Sequence, residues 1–165
     1  MERTIAETFL EELEAEEKAS RRCIERIPES LFDWKPHEKS MQMGYLSLLV
    51  ADIPKWLVAI IEKGEVNFAI WEKYELTTTA DLVKRFEENM AAAKNALKNM
   101  GDEAMQETFV LKAGEQELMK TTKKESISSS LNHWVHHRGQ LTVYMRLNGI
   151  LVPSIYGPSA DEKTY

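Results

Sequence analysis

Apolar residues return every three to four positions, or at multiples of that step, through the first part of the chain: Ile5, Phe9, Leu13, then Ser20, Cys23 and Ile27, with glutamates and arginines between them. That is the period of a helix with one face turned to a core. Pro28, with no N–H and a fixed φ, blocks its continuation, so the pattern predicts a helix over 2–27. The stretch "PESLFDWKPHEKSMQ" is broken by Pro28 and Pro36 and carries Phe32 and Trp34, and reads as a connection pinned to the core by aromatics. From 42 to 63 nearly every position is apolar. Asp52, Pro54 and Lys55 interrupt that run, which fits a buried helix kinked near Pro54 better than a membrane span.

After Gly64 comes an aromatic loop, "EVNFAIWEKYELTT". Thr78 or Thr79 can cap the next helix, over 79–100, whose apolar positions are Leu82, Phe86, Met90, Ala93, Leu97 and Met100. Asp81, Glu87 and Glu88 toward its start and Lys94 and Lys98 toward its end match the helix dipole. "TFVLKAGEQELM" alternates about Gly114 as a short hairpin would, although two strands hold only marginally unless they pack against helices. Thr122 with Glu125 three residues on is a capping-box signature, opening a helix over 122–148 that Gly149 stops. Four long helices with short connections and no internal repeat predict an all-α chain, a four-helix bundle forming a single domain over 1–165.

Composition narrows the partners. Apolar residues are 43% and charged residues 29% of the 165, with seven glycines and five prolines, enough for a core without disulfides or a structural metal. The formal net charge of -6 and the acidic "EELEAEE" offer no basic stripe for a phosphate backbone. Neither nucleic acid nor a membrane is an expected partner. One cysteine, Cys23, makes no internal disulfide, and the chain begins with a charged amphipathic stretch, which points to the cytoplasm.

The chemistry gathers in "LNHWVHHRGQLTVYMRLNG", 131–149, which holds three of the four histidines. At i and i+4, His133 and His137 lie about 40° apart around a helix and can converge on one metal ion. His136 lies about 60° from His133 in the other direction and faces a neighbouring helix or solvent. A catalytic zinc takes about three protein ligands plus water, and the pair supplies two. Taken alone, such a pair is weak evidence, because histidine is often a partly buried residue satisfied by ordinary hydrogen bonds. Gly139 inside a helix suggests a close helix crossing, Arg138 a structural partner for a carboxylate or carbonyl, Tyr144 core filling on the histidine stripe, and Cys23 a buried structural thiol.

"HWVHHRGQLTVYMRLNGILVPSIYGPSADE", taken with "FDWKPHEKSMQMGYLSLLVADIP", resembles the DinB-like (DinB/YfiT-like) family of damage-inducible four-helix proteins, in order along the whole chain. The resemblance implies an up-down-down-up bundle, a homodimer, and a divalent metal, often nickel or zinc, held by three histidines. Two of these correspond to His133 and His137. The third belongs to a stretch like "LxxHIAEIP", for which this chain has "LSLLVADIP", with Leu49 at the histidine position. Leucine has no lone pair to offer, so metal binding is expected to be weak or absent unless Asp52, one turn on, or His37, in the preceding loop, completes the set. Otherwise the pair faces an apolar pocket lined by Leu46, Leu49 and Ile53. The expectation is a non-catalytic or ligand-binding member that takes a small molecule. The alternative is a divalent-metal-dependent enzyme of the thiol S-transferase or hydrolase type. The tail "LVPSIYGPSADE" is expected to fold back over the bundle, stiffened by Pro153 and Pro158 and anchored by Ile155 and Tyr156.

Overall fold

A computed structural model of the chain describes residues 4–163. Four helices carry it: α1 (Ile5–Ile24), α2 (Met43–Val58), α3 (Thr79–Lys98) and α4 (Lys123–Leu147). Positions 2 and 3, which the pattern assigned to the first helix, lie outside the described residues. Side-chain caps set three of the four helix starts, while α2 begins after Gln42 without one. Thr4 and Glu7 exchange side-chain and backbone bonds in a capping box not foreseen from the sequence, Thr78 accepts from the Asp81 N–H, and Thr122 and Glu125 form the predicted box. Each spares orphan N–H groups of a first turn.

α2 packs against both α3 and α4, and α1 closes the bundle against the same two, with little contact between α1 and α2. The shared core holds Leu13, Ile24, Leu46, Phe86, Met90 and Trp134, all essentially excluded from solvent. α2 continues through Asp52, Pro54 and Lys55 into a π-helical turn, Ala59–Lys63. The span Met43–Lys63 is long and apolar enough to cross a membrane by length and composition alone. Yet 61% of its most apolar stretch is buried against the other helices, the use a bundle makes of such a helix. Its end needs Gly64, at φ +65, where a Cβ would stand 3.2 Å from the Thr108 carbonyl oxygen.

Proline at 54, inside the continuous α2, has a consequence across the bundle. Having no N–H, it leaves the Val50 carbonyl without its i+4 donor, and Trp134 Nε1 of α4 supplies one at 2.8 Å. Both groups are buried, so the bond replaces an otherwise costly vacancy and sets the register of α4 against α2 one residue from His133.

The expectation of an all-α chain is incomplete, because a three-stranded sheet joins the helices. β2 (Thr108–Ala113) and β3 (Gln116–Thr122) form the antiparallel hairpin around Gly114. β1 (Glu65–Asn67), from the stretch read as loop, adds parallel to β2. Two things stabilise so small a sheet. Val66 and Phe109 are buried in the core, and the Asn67 side chain both donates to the Gly114 carbonyl and accepts its N–H, at 3.2 and 2.9 Å. The sheet in turn positions the aromatic residues after it, beginning with the Phe68 N–H donated to Lys112.

The tail is ordered, chiefly by charge. Glu162 bonds Arg22, Arg26 and the Ser154 N–H, and Asp161 bonds Arg146 and the Val152 N–H. The Arg26 guanidinium, with the Ser154 N–H, holds the Glu162 carboxyl at about 2. Ile155 packs on the core as expected. Tyr156 is 69% exposed and anchors through its hydroxyl instead. Gly139 is also solvent-facing, with nothing within 4 Å of a built Cβ, so no helix among the described residues crosses there.

Candidate functional site

α4 turns His133 and His137 to the same side, and the two imidazoles meet, Nε2 to Nε2, at 2.6 Å. On its other ring nitrogen, His137 Nδ1 lies 2.8 Å from Gln140 Oε1, one turn further on. An amide oxygen only accepts, so the His137 proton is assigned to Nδ1 and its lone pair to Nε2. His133 then donates from Nε2 into that lone pair. Two nitrogens on one tetrahedral zinc, each about 2.0–2.1 Å from it, stand about 3.3 Å apart, so the observed spacing is that of a shared proton.

Burial lowers the pKa of both rings. For His133 the nearby His137 and His136 charges add to the effect, while for His137 the bond to Gln140 opposes it and His136 reinforces it. Starting from an ordinary value near 6.5, both are neutral at pH 7. His136 is exposed on the far flank, its ring 5.2 Å from that of His137, as the spacing predicts.

Above the pair opens a pocket of about 500 Å³. Leu49 and Trp56 of α2 form one wall, Trp71 and Tyr74 of the aromatic loop another, with His133 and His137 below. Trp56 contacts His133 and Trp71 edge-on or tilted, at centroid distances of 5.7 and 6.0 Å. Arg85 of α3 lies over the Tyr74 ring at 4.0 Å. Of the three apolar residues expected to line this space, Leu49 does so, whereas Leu46 and Ile53 belong to the core. Tyr144 lies outside the pocket, edge-on to Trp34 at 5.5 Å.

Neither candidate for a third ligand is disposed to serve. The Asp52 carboxylate borders the pocket but is engaged by Arg85 Nε and by Arg85 Nη2 and Asn89 Nδ2, the last two at 3.1 Å each. Releasing it would leave the half-buried Arg85 guanidinium with only the exposed Glu72 carboxylate, 3.5 Å away. His37 sits in the connection before α2, where its Nδ1 accepts the Lys39 N–H, away from the pocket wall. Among the described residues no three His, Cys, Asp or Glu side chains come together around a point able to hold an ion. Two imidazoles and a leucine do not fit the three-histidine site that the resemblance implies.

The other residues singled out have structural partners. Arg138, 1% exposed, bonds the Glu16 carboxylate, the Ser20 hydroxyl and the Tyr156 hydroxyl. Cys23 is buried without a disulfide, and burial pushes its thiol up to about 11. Sequence reasoning missed Gln140, which the i+3 spacing from His137 could have suggested. It also missed Trp56 and Trp71, whose approach depends on where the sheet places the loop.

The fold and parts of the sequence have relatives. A DinB-like protein of Bacillus subtilis, YjoA, superposes with a TM-score of 0.70 at 18% identity, over 96% of this chain and 99% of that one. A DinB-like protein of Bacillus cereus ATCC 10987 does so with a TM-score of 0.70 at 17% identity, over 91% and 97%. At such identity the likeness is one of fold. The uncharacterized protein YrdA of Bacillus subtilis is 56% identical over 32 residues, which span 19% of each chain. The profile of the DinB family matches residues 1–164. With that profile running nearly end to end, the chain belongs to the DinB family.

Proposed function

We propose that this protein is a non-catalytic, ligand-binding DinB protein whose pocket takes a small, largely apolar molecule. The observation that carries the reading is the closure of the histidine pair on itself, with Leu49 rather than a donor in the facing wall. The neutral pair gives the aromatic enclosure a hydrogen-bonding point at its base, with Asp52, Glu72 and Lys73 at its border and a large apolar surface between, the usual make-up of a small-molecule site.

Titration with N-phenyl-1-naphthylamine, a neutral fluorescent probe, tests this in protein purified without a histidine tag. Saturable enhancement is expected, lost in Leu49→Trp, which fills the pocket, and unaffected by nickel or zinc. Enhancement that persists unchanged in Leu49→Trp, or stoichiometric displacement by metal, would overturn the proposal.

One observation favours a second reading, a metal-dependent enzyme acting with thiols or by hydrolysis. The Gln140 bond to His137 Nδ1 is of the kind that orients metal-ligating histidines. That reading requires a third donor, which Asp52 supplies only by leaving Arg85 and Asn89.

The proposal includes a homodimer, as the family resemblance implies, and a cytoplasmic location, in keeping with the lone cysteine. α2, apolar at nearly every position, already has α3 and α4 on it. Among the exposed apolar residues, Val143 and Leu147 of α4 and the adjoining Leu151, each more than half exposed, lie together in the chain and make the proposed partner surface; Ile70, more exposed still, lies apart from them in the aromatic loop. Light scattering at micromolar concentration is expected to give twice the 19.0 kDa chain mass; a monomer alone would count decisively against the dimer.

A further inference from the structure

We propose a second binding site, on the sheet side of Trp56, for a small uncharged aromatic molecule carrying one hydroxyl. The stripe of α4 that ends in the histidines begins with serines: Ser126 and Ser130 precede His133 at seven and three residues, on the same side of the helix. They line a second cavity of about 310 Å³, bounded by Phe109 of the sheet and, at its open side, by the partly exposed Phe68 and Met119. Trp56, Phe68 and His133 border both this cavity and the larger pocket, so the Trp56 indole acts as the partition.

Two features say what the cavity takes. Its lining includes no Asp, Glu, Lys or Arg, so an ion entering it would lose its water without gaining a partner. Among the described residues, Ser126 Oγ is the buried side-chain oxygen or nitrogen left without a hydrogen-bond partner, on a residue 3% exposed. The buried Ser47 and Ser154 hydroxyls, by contrast, donate to the Met43 and Glu162 carbonyls, and an orphan is costly. A hydroxyl both donates and accepts, and so matches a ligand hydroxyl in either sense. The ring of such a ligand finds Trp56, Phe68 and Phe109 to pack on and the Met119 thioether beside it.

The site does not depend on what occupies the larger pocket, and phenol tests it, with toluene as the same shape lacking the hydroxyl. Both are titrated into ¹⁵N-labelled protein by NMR. Phenol is expected to shift the Trp56 indole N–H and the Ser126–Ser130 amides saturably and to bind more tightly than toluene. Ser126→Ala should weaken phenol about fivefold and leave toluene unchanged, the net worth of one hydrogen bond. Because the variant removes an unsatisfied buried hydroxyl, its thermal midpoint should be equal or higher, which separates lost recognition from lost folding. Leu49→Trp, which fills the larger pocket, should leave phenol bound. Loss of phenol in Leu49→Trp would place the probe in the larger pocket. An unchanged phenol-to-toluene ratio in Ser126→Ala would show that the hydroxyl recognises nothing. Absence of saturable shifts with either probe would remove the site altogether. Any of these three overturns the proposal.

Discussion

Leu49→His is expected to give the protein tight binding of nickel or zinc, the introduced imidazole joining His133 and His137 as ligands, where the unaltered chain binds weakly. The geometry rests on the two flanks of α2. One flank faces α4, because the Val50 carbonyl receives the Trp134 indole. The other faces α3, because Asp52 receives Arg85 and Asn89. Leu49 lies between them, in the pocket wall with the histidine pair. Loss of an outer hydrogen-bond partner alone costs metal sites about 10- to 100-fold, so a whole added ligand should raise affinity on the order of 100-fold or more. Leu48 also borders the pocket, but it lies about 100° round the helix from Leu49, on the Asp52 side, and Leu48→His should gain nothing comparable. Calorimetry with each metal on tag-free protein reads all three chains. Stoichiometric tight binding by the unaltered protein would mean that a third donor is already present. Equal binding by both histidine variants would mean that the facing is misassigned.

Arg138→Met is expected to destabilise the fold by about 3–5 kcal/mol, the usual consequence of stripping one partner from a buried pair. The Arg138 side chain is 2% and the Glu16 side chain 13% accessible, so the carboxylate left behind cannot recover its hydration. The guanidinium also holds Ser20 and Tyr156, which ties α1, α4 and the tail into one network. Two readouts follow: a lower urea midpoint with unchanged slope, and faster amide exchange across Ser154–Gly157. Adding Glu16→Gln should restore part of the loss, because the uncompensated charge goes with it. A single variant within about 1 kcal/mol of the parent would show that the pair contributes only as exposed pairs do.

Most of the helical frame was legible because its signals are local. Thr122 with Glu125, the apolar period through α3 and the stop at Gly149 depend on neighbours within a few residues, and α4 falls within one residue of the predicted range at each end. The third strand was illegible for the opposite reason. Glu65–Asn67 has no period of its own and pairs with residues more than forty positions away, so nothing nearby announces it. The site divides along the same line. The i, i+4 spacing foretold that His133 and His137 would meet, and the residue type at 49 foretold the apolar wall. What Asp52 would do depended on Arg85 and Asn89 arriving from α3. The place of Trp71 depended on a sheet that the pattern only half suggested. Gly139 shows the limit of a residue-type argument: glycine inside a helix is open to a crossing partner, but the residue alone does not say that one comes.

The bond from Trp134 to the carbonyl that Pro54 leaves free makes positions 54 and 134 a single unit of inheritance. A change at 134 strands a buried acceptor, and an amide regained at 54 competes with the indole for it, so substitutions at the two sites should travel together among relatives. Position 49 belongs to no such unit. On the outcome expected for Leu49→His, that position could drift between leucine and a ligand while the frame that presents His133 and His137 stays in place, and one residue would then gain or lose metal binding without the architecture having to follow.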